Sequence, residues 1–212
     1  MPERMSWSRL FENRRAIHKQ YPDIWDLRIV KKRLPLMLSI IRDGDRILDV
    51  GSSSREWEDR IKKHYPTITY KNMDVDREGS CDYRTLDEIK EKFDIILLFE
   101  VIEHLPLEEG IDMLESIYGL LNDGGHLILT TPNIFNPSRF WRDATHRVAY
   151  CYDELGGILL GQGFRIVSMY RTYNDAFHRF LFRVHIMAPL HRYLGIDFAK
   201  SVFIVARKES AE

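Results

Sequence analysis

The chain has 212 residues, 44% hydrophobic and 30% charged, which is enough for one full core and short of two ordinary domains. A formal net charge of −1 and a pI near 6.7 leave it without the electrostatic footprint of a general nucleic-acid binder. No apolar run reaches the roughly 18 residues of a spanning helix, and the opening MPERMSWSRL has no stretch of signal-peptide type, so a cytosolic (cytoplasmic) protein is expected.

Residues 5–42 set bulky apolar and charged positions at helical spacing, and Pro35 starts or kinks the last helix before a turn at Gly44. Residues 1–44 therefore read as a helical preface. From Arg46 onward, β-branched runs alternate with amphipathic ones. RILDV predicts a strand, SREWEDRIKKHY a helix, TITYKNMDV a strand and LDEIKEK a helix. FDIILLFEV, LEEGIDMLESIYGLL and HLILTTP continue as strand, helix and strand. DELGGILLGQGF predicts a helix stopped at Gly163, followed by the strand RIVSMYRTY and a last strand KSVFIVARK. This alternation is the pattern of a doubly wound α/β sheet. The expected organisation is one domain, with its core in 45–173 and 199–208. Residues 174–198 form an aromatic and basic insertion, too long for an ordinary loop and partly helical. Cys81 and Cys151 have neither metal-ligand spacing nor a disulfide framework and read as structural.

In an open parallel sheet the ligand lies beyond the carboxyl ends of the strands, and the first strand-to-helix turn is the usual place. Asp49 and Gly51 stand there, in RILDVGSSSREW. Glycine lets a backbone approach a ligand closely, and an acid just before it suits a cation or an ammonium group rather than a pyrophosphate. The second and third glycines of a dinucleotide turn are missing, which weighs against a nicotinamide enzyme. An adenosine carrying an amino acid fits better, with Asp74, at the end of YKNMDV, accepting both ribose hydroxyls. The plain alternative is that Asp49 and Asp74 only cap turns.

Over residues 45–208 the chain resembles the class I S-adenosylmethionine-dependent methyltransferases. The matching segments are ILDVGSSS, YKNMDVD, FDIILLFEVIEHL, LLNDGGHLILTTPN and LLGQGFRIV, in the family's order. The resemblance implies a Rossmann-like, mostly parallel seven-stranded sheet with an antiparallel last strand. By position it gives Asp49, Gly51 and Ser53 the methionine part of the cofactor, Asp74 the ribose, Asp82 or Tyr83 the adenine side, and Phe99 and Glu100 the floor. Ser53 and Arg55 stand where the family's second and third glycines would be. The hydroxyls of Ser52 to Ser54 can donate to the methionine carboxylate instead, with Arg55 pointing outward or neutralising the same group. A scaffold that binds the cofactor and regulates a partner is the reading from another class.

FEVIEHL puts Glu100, Glu103 and His104 at the carboxyl end of its strand. These residues either cap the turn and shape the pocket or bind a metal. Two carboxylates and an imidazole suit Mg²⁺, Mn²⁺ or Fe²⁺. E-x-x-E-H followed by a later histidine is similar to the pattern in small-RNA terminal 2′-O-methyltransferases and partly to that in ubiquinone-pathway O-methyltransferases, which implies His146 as a fourth ligand. Without metal, His104 or His146 can act as general base. The expected reaction is methyl transfer to a hydroxyl of a small molecule, such as a sugar or quinone precursor, ahead of an RNA terminus. The acceptor should enter over residues 132–147, where Phe135, Phe140 and Trp141 can pack on a ring, and over 174–198. That insertion reads as a packed lid, a phosphate site or a peripheral membrane contact.

Overall fold

A computed structural model describes residues 6–52, 54–76 and 80–209. Its centre is a seven-stranded sheet in the order β1-β6-β7-β5-β4-β2-β3. The strands are β1 (Arg28–Val30), β2 (Arg46–Val50), β3 (Thr69–Met73), β4 (Phe93–Phe99), β5 (Leu121–Pro132), β6 (Phe164–Thr172) and β7 (Ser201–Lys208). All run parallel except β7, which lies antiparallel between β5 and β6.

Strand periodicity sorts the core into two layers. Ile47, Ile95, Leu97, Ile128, Phe203 and Val205 face one side, where α2 (Arg33–Leu38) brings Met37 and α3 (Glu56–Lys62) brings Ile61. Leu48, Val50, Ile96, Leu98, Leu127, Leu129 and Ile204 face the other, under α1 (Trp7–Gln20), α4 (Leu107–Leu120) and α6 (Tyr152–Gly161), while the short α5 (Pro137–Phe140) follows β5. Burial on both faces is why these strands read as nearly continuous apolar runs. α1 approaches α6 so closely that a Cβ on Gly157 would sit 2.9 Å from the Arg14 backbone nitrogen, and Arg14 pairs with Asp153 at 2.8 Å.

Three expectations need correction. The preface is not wholly helical, because Arg28–Val30 extends the sheet beside Tyr170–Thr172. Three residues are too few for a periodic signal, and the partner strand supplies the order. LDEIKEK is not a helix but a single 3₁₀ turn, Leu86–Glu88; a segment this short nucleates poorly unless packing fixes it. β5 also begins earlier than expected: Leu121 pairs with Phe93 and His126 with Ile95, with an irregularity between them.

From β2 the chain passes outward to β3 and returns to β4 on the other side of β2. The strand order reverses between β2 and β4, and the crevice beyond their carboxyl ends is where a ligand fits this topology.

Candidate active site

Gly51, just past β2, has φ +77, and the amides of Gly51 and Ser52 donate to the Met73 carbonyl at 2.8 and 3.3 Å. The space a side chain would take at Gly51 is filled by Val101, whose Cγ2 lies 2.3 Å from an ideal Cβ. Glycine is thus required by the backbone and by β4's continuation, not by open room in the crevice. Beneath the turn, Asp49 is 2% exposed and accepts from the Tyr70 hydroxyl; burial pushes its carboxyl up to about 6 despite that bond. Asp74 follows β3, half-buried, with Oδ1 accepting the Asp76 amide at 2.9 Å. Ser53 lies outside the described residues.

Asp82 is engaged within the protein, by Arg55, by Lys71 at 3.0 Å and by the Asn72 amide at 3.0 Å. Burial opposes its charge, but these partners hold it below the usual carboxylate range. Tyr83 gives its hydroxyl to Glu91, and its carbonyl accepts from the Asp74 amide. Both side chains thus fasten the 81–84 segment beside β3. Arg55 belongs to this clamp, with Glu58 as a further partner at 2.7 Å.

At the end of β4 the Phe99 ring meets Trp57 edge-on at 5.6 Å and lies 5.8 Å from the Arg33 guanidinium. Glu100 has φ +55, the one positive φ on a non-glycine among the described residues. That uncommon conformation turns the chain sharply into the Ile102–His104 turn. The Glu100 carboxylate faces Arg33 at 3.4 Å.

Glu103 is fully buried, and neither of its carboxyl oxygens has a hydrogen-bond partner among the described residues. Burial pushes its pKa up to about 8, with the Glu100 carboxylate adding to the effect and the nearby Thr131 hydroxyl, outside ordinary hydrogen-bond geometry, only weakly opposing it. His104 Nδ1 lies 2.9 Å from Thr145 Oγ1, and Thr145 gives its own proton to Asp143 at 2.6 Å. Thr145 therefore accepts from His104, so in the neutral ring the proton sits on Nδ1 and Nε2 carries the lone pair. His146 Nδ1 lies 2.7 Å from the Phe140 carbonyl, which can only accept, so His146 has the same tautomer. One donor atom each from Glu103, His104 and His146 lies within 4.8 Å of the others. Glu100 stands outside this trio but lines the same cavity of about 360 Å³, along with Arg139 and Arg142. A larger cavity of about 470 Å³ opens between Asp45, Asp94 and Arg207, at the opposite end of the strands.

Sequence reasoning missed Arg33 and Arg139. Arg33 comes from the preface and bridges Glu100 and Ser201, while Arg139 has a buried Nε with no partner among the described residues. Neither sits in a recognisable motif. Both are brought to the crevice by packing alone.

A profile described as a methyltransferase domain matches residues 18–169, most of the chain and every strand that borders the crevice. The chain belongs to this methyltransferase family. The methyltransferase also shares its fold with a SAM-dependent methyltransferase from Archaeoglobus fulgidus at TM-score 0.65 and 16% identity, covering 96% of this chain and 100% of the other. One from Methanosarcina mazei matches at TM-score 0.58 and 13% identity, covering 84% of this chain and 98% of that one. The 4+2 cyclase SpnF matches at TM-score 0.57 and 16% identity, with 84% and 81% covered. A cyclase on the same scaffold shows that the fold does not fix the reaction, which has to be argued from the site. A search of the curated proteins finds no match. Within the methyltransferase, both cysteines are half-buried and free, and burial pushes the Cys151 thiol up to about 12, which suits a structural role.

Proposed function

We propose that this S-adenosylmethionine-dependent methyltransferase methylates a hydroxyl oxygen of a small acceptor, with Glu103, His104 and His146 holding a divalent ion beside the acceptor. The observation that carries the reading is Glu103: a fully buried carboxyl with no hydrogen-bond partner among the described residues, next to two histidines whose neutral rings carry the lone pair on Nε2. Burying such a group unpaired is costly, and a cation would offset that cost. With Glu100 turned to Arg33, the donor set is two imidazoles and one carboxylate. That set favours Mn²⁺ or Fe²⁺ over Mg²⁺, which prefers oxygen. When bound, the ion would lower the pKa of an acceptor hydroxyl and orient it.

The cofactor, when bound, provides the activated methyl group and its sulfur as leaving group. Asp74 is suited to accept the ribose hydroxyls, and Asp49 supports the turn from below. Arg33, held by Glu100 and Ser201 at the crevice, offers a cation for the methionine carboxylate, and Arg139 and Arg142 favour an acceptor with a negative group near its hydroxyl. Without metal, His104 or His146 takes the hydroxyl proton at Nε2. The overall charge of −1 ranks RNA below small acceptors.

The test is to supply S-adenosylmethionine with an isotopically labelled methyl, with and without Mn²⁺, to a panel of hydroxylated sugars, phenols and hydroxy acids. Label recovered as a methyl ether supports the reading. Label found only on nitrogen or carbon acceptors overturns it, and cofactor binding without any transfer favours the regulatory scaffold.

A further inference from the structure

We propose that residues 177–194 form a face that seats this protein on an anionic phospholipid surface. The segment joins the carboxyl end of β6 to the start of β7, so it stands on the same rim of the sheet as the crevice. It is built from α7 (Phe177–Leu181), a π-helical turn (Phe182–Ile186) and α8 (Ala188–Leu194). The wide turn keeps one side chain row in line across the joint. Phe177, Leu181, Phe182, Ile186, Leu190 and Leu194 all point to solvent, with Phe177 69% and Ile186 61% exposed, and Tyr193 beside them is 88% exposed. The spacing of four, one, four, four and four residues draws a single stripe along the segment.

A lid waiting to close on its own domain would leave its inner side free, but here the inner side is already occupied. The Phe180 ring packs on Tyr173 at 5.2 Å, and buried His191 packs on Phe198 at 4.1 Å. Arg183 binds Asp175 at 2.8 Å and lies over the Phe198 ring. Rolling the outer stripe inward would break each of these contacts. The exposed apolar row therefore faces something outside the domain.

Charge selects the occupant. Residues 177–194 hold no acid, and the two acids that flank them are paired, Asp175 with Arg183 and Asp197 with Arg171. Arg179 and Arg192 are exposed and have no acidic partner among the described residues, and His178 and His185 are exposed as well. An apolar stripe with a cationic margin fits acyl chains below anionic headgroups. A second copy of the face would set cations against cations. No helix among the described residues is long and apolar enough to cross a membrane, so the contact lies on the surface.

Co-sedimentation of the full chain with phosphatidylcholine vesicles, with and without phosphatidylglycerol, tests the assignment. Binding is expected to the mixed vesicles, weakened by salt. Arg179→Glu with Arg192→Glu, and separately Ile186→Ser with Leu194→Ser, should each lower it roughly tenfold or more. All four side chains are exposed, so the melting temperature and S-adenosylmethionine affinity should be unchanged. Absence of binding to mixed vesicles, or equal binding by the charge-reversed variant, overturns the proposal. So does a dimer in sedimentation equilibrium that Ile186→Ser with Leu194→Ser dissociates, since the stripe would then belong to a second copy.

Discussion

The backbone amide of Arg147 donates to the carbonyl oxygen of Glu103 at 2.7 Å, and the Val148 amide adds a longer bond to the same atom at 3.2 Å. These bonds fasten the loop beyond β5 to the turn beyond β4. They bring the rings of His146 and His104 to 4.7 Å between centroids, although the two residues are far apart in the chain. The trio with Glu103 is held by main-chain bonds and by a hydrogen bond on each Nδ1, an arrangement that pre-orients metal ligands.

Titration of Mn²⁺ into chelator-treated protein, followed by electron paramagnetic resonance, should reveal one site. Glu103→Gln and His146→Ala should each weaken it by about a hundredfold, on the scale of losing a ligand or its support. S-adenosylmethionine affinity should not change in either variant. A wild-type protein that binds no Mn²⁺, and is fully active in chelator, would remove the metal and leave the histidines as general bases.

Asp74→Ala should weaken S-adenosylmethionine binding by about 1.5 to 3 kcal/mol, the scale of hydrogen bonds to a charged group. Its backbone bond to Tyr83 survives the change, so the fold should hold. Titration calorimetry measures the effect, and unchanged affinity would take Asp74 out of the ribose role.

Gly51→Ala should destabilise the protein by about 2 to 4 kcal/mol, because the positive φ and the contact with Val101 both oppose a Cβ. Adding Val101→Ala should recover the steric part and leave the backbone part, so a double-mutant cycle gives a favourable coupling. Strictly additive losses would mean that Val101 is not the obstacle.

Much of this was legible in the sequence because one physical cause acted alone. β2 and β4 are buried on both faces and read as apolar runs, and Glu103 and His104 are neighbours in the chain. The aspartate-glycine turn suggests a backbone that a ligand can approach, but it does not reveal that the side-chain space at Gly51 is filled by Val101. Arg55 looked free to point either way, but Asp82 comes to meet it only when the 81–84 segment folds beside β3. Arg33, Arg139 and the Arg28–Val30 strand owe their places to tertiary packing. The outward turn of Phe177 and Ile186 is likewise invisible to composition, which cannot tell which of the interleaved aromatic and basic side chains are buried.

Asp49 offers a test in which stability and function should move in opposite directions. Its native pKa of about 6 lies above the ordinary 3.8, so the folded protein holds this proton more tightly than the unfolded chain does. Below about pH 3 both states are protonated and the group costs nothing; as pH rises toward 6 the unfolded chain ionises first, and stability falls until the native carboxyl has ionised too. Asparagine keeps the shape, can still accept from the Tyr70 hydroxyl and never charges. Asp49→Asn should therefore match the wild type near pH 3 and exceed it by about 2 to 3 kcal/mol near pH 7.5 in urea unfolding. The same variant should bind S-adenosylmethionine more weakly, because the turn above would lose the negative charge that favours the cofactor's ammonium group. A stability difference that does not change with pH would refute the burial argument. A stabilised variant with undiminished cofactor affinity would instead show that Asp49 supports the turn without taking part in binding.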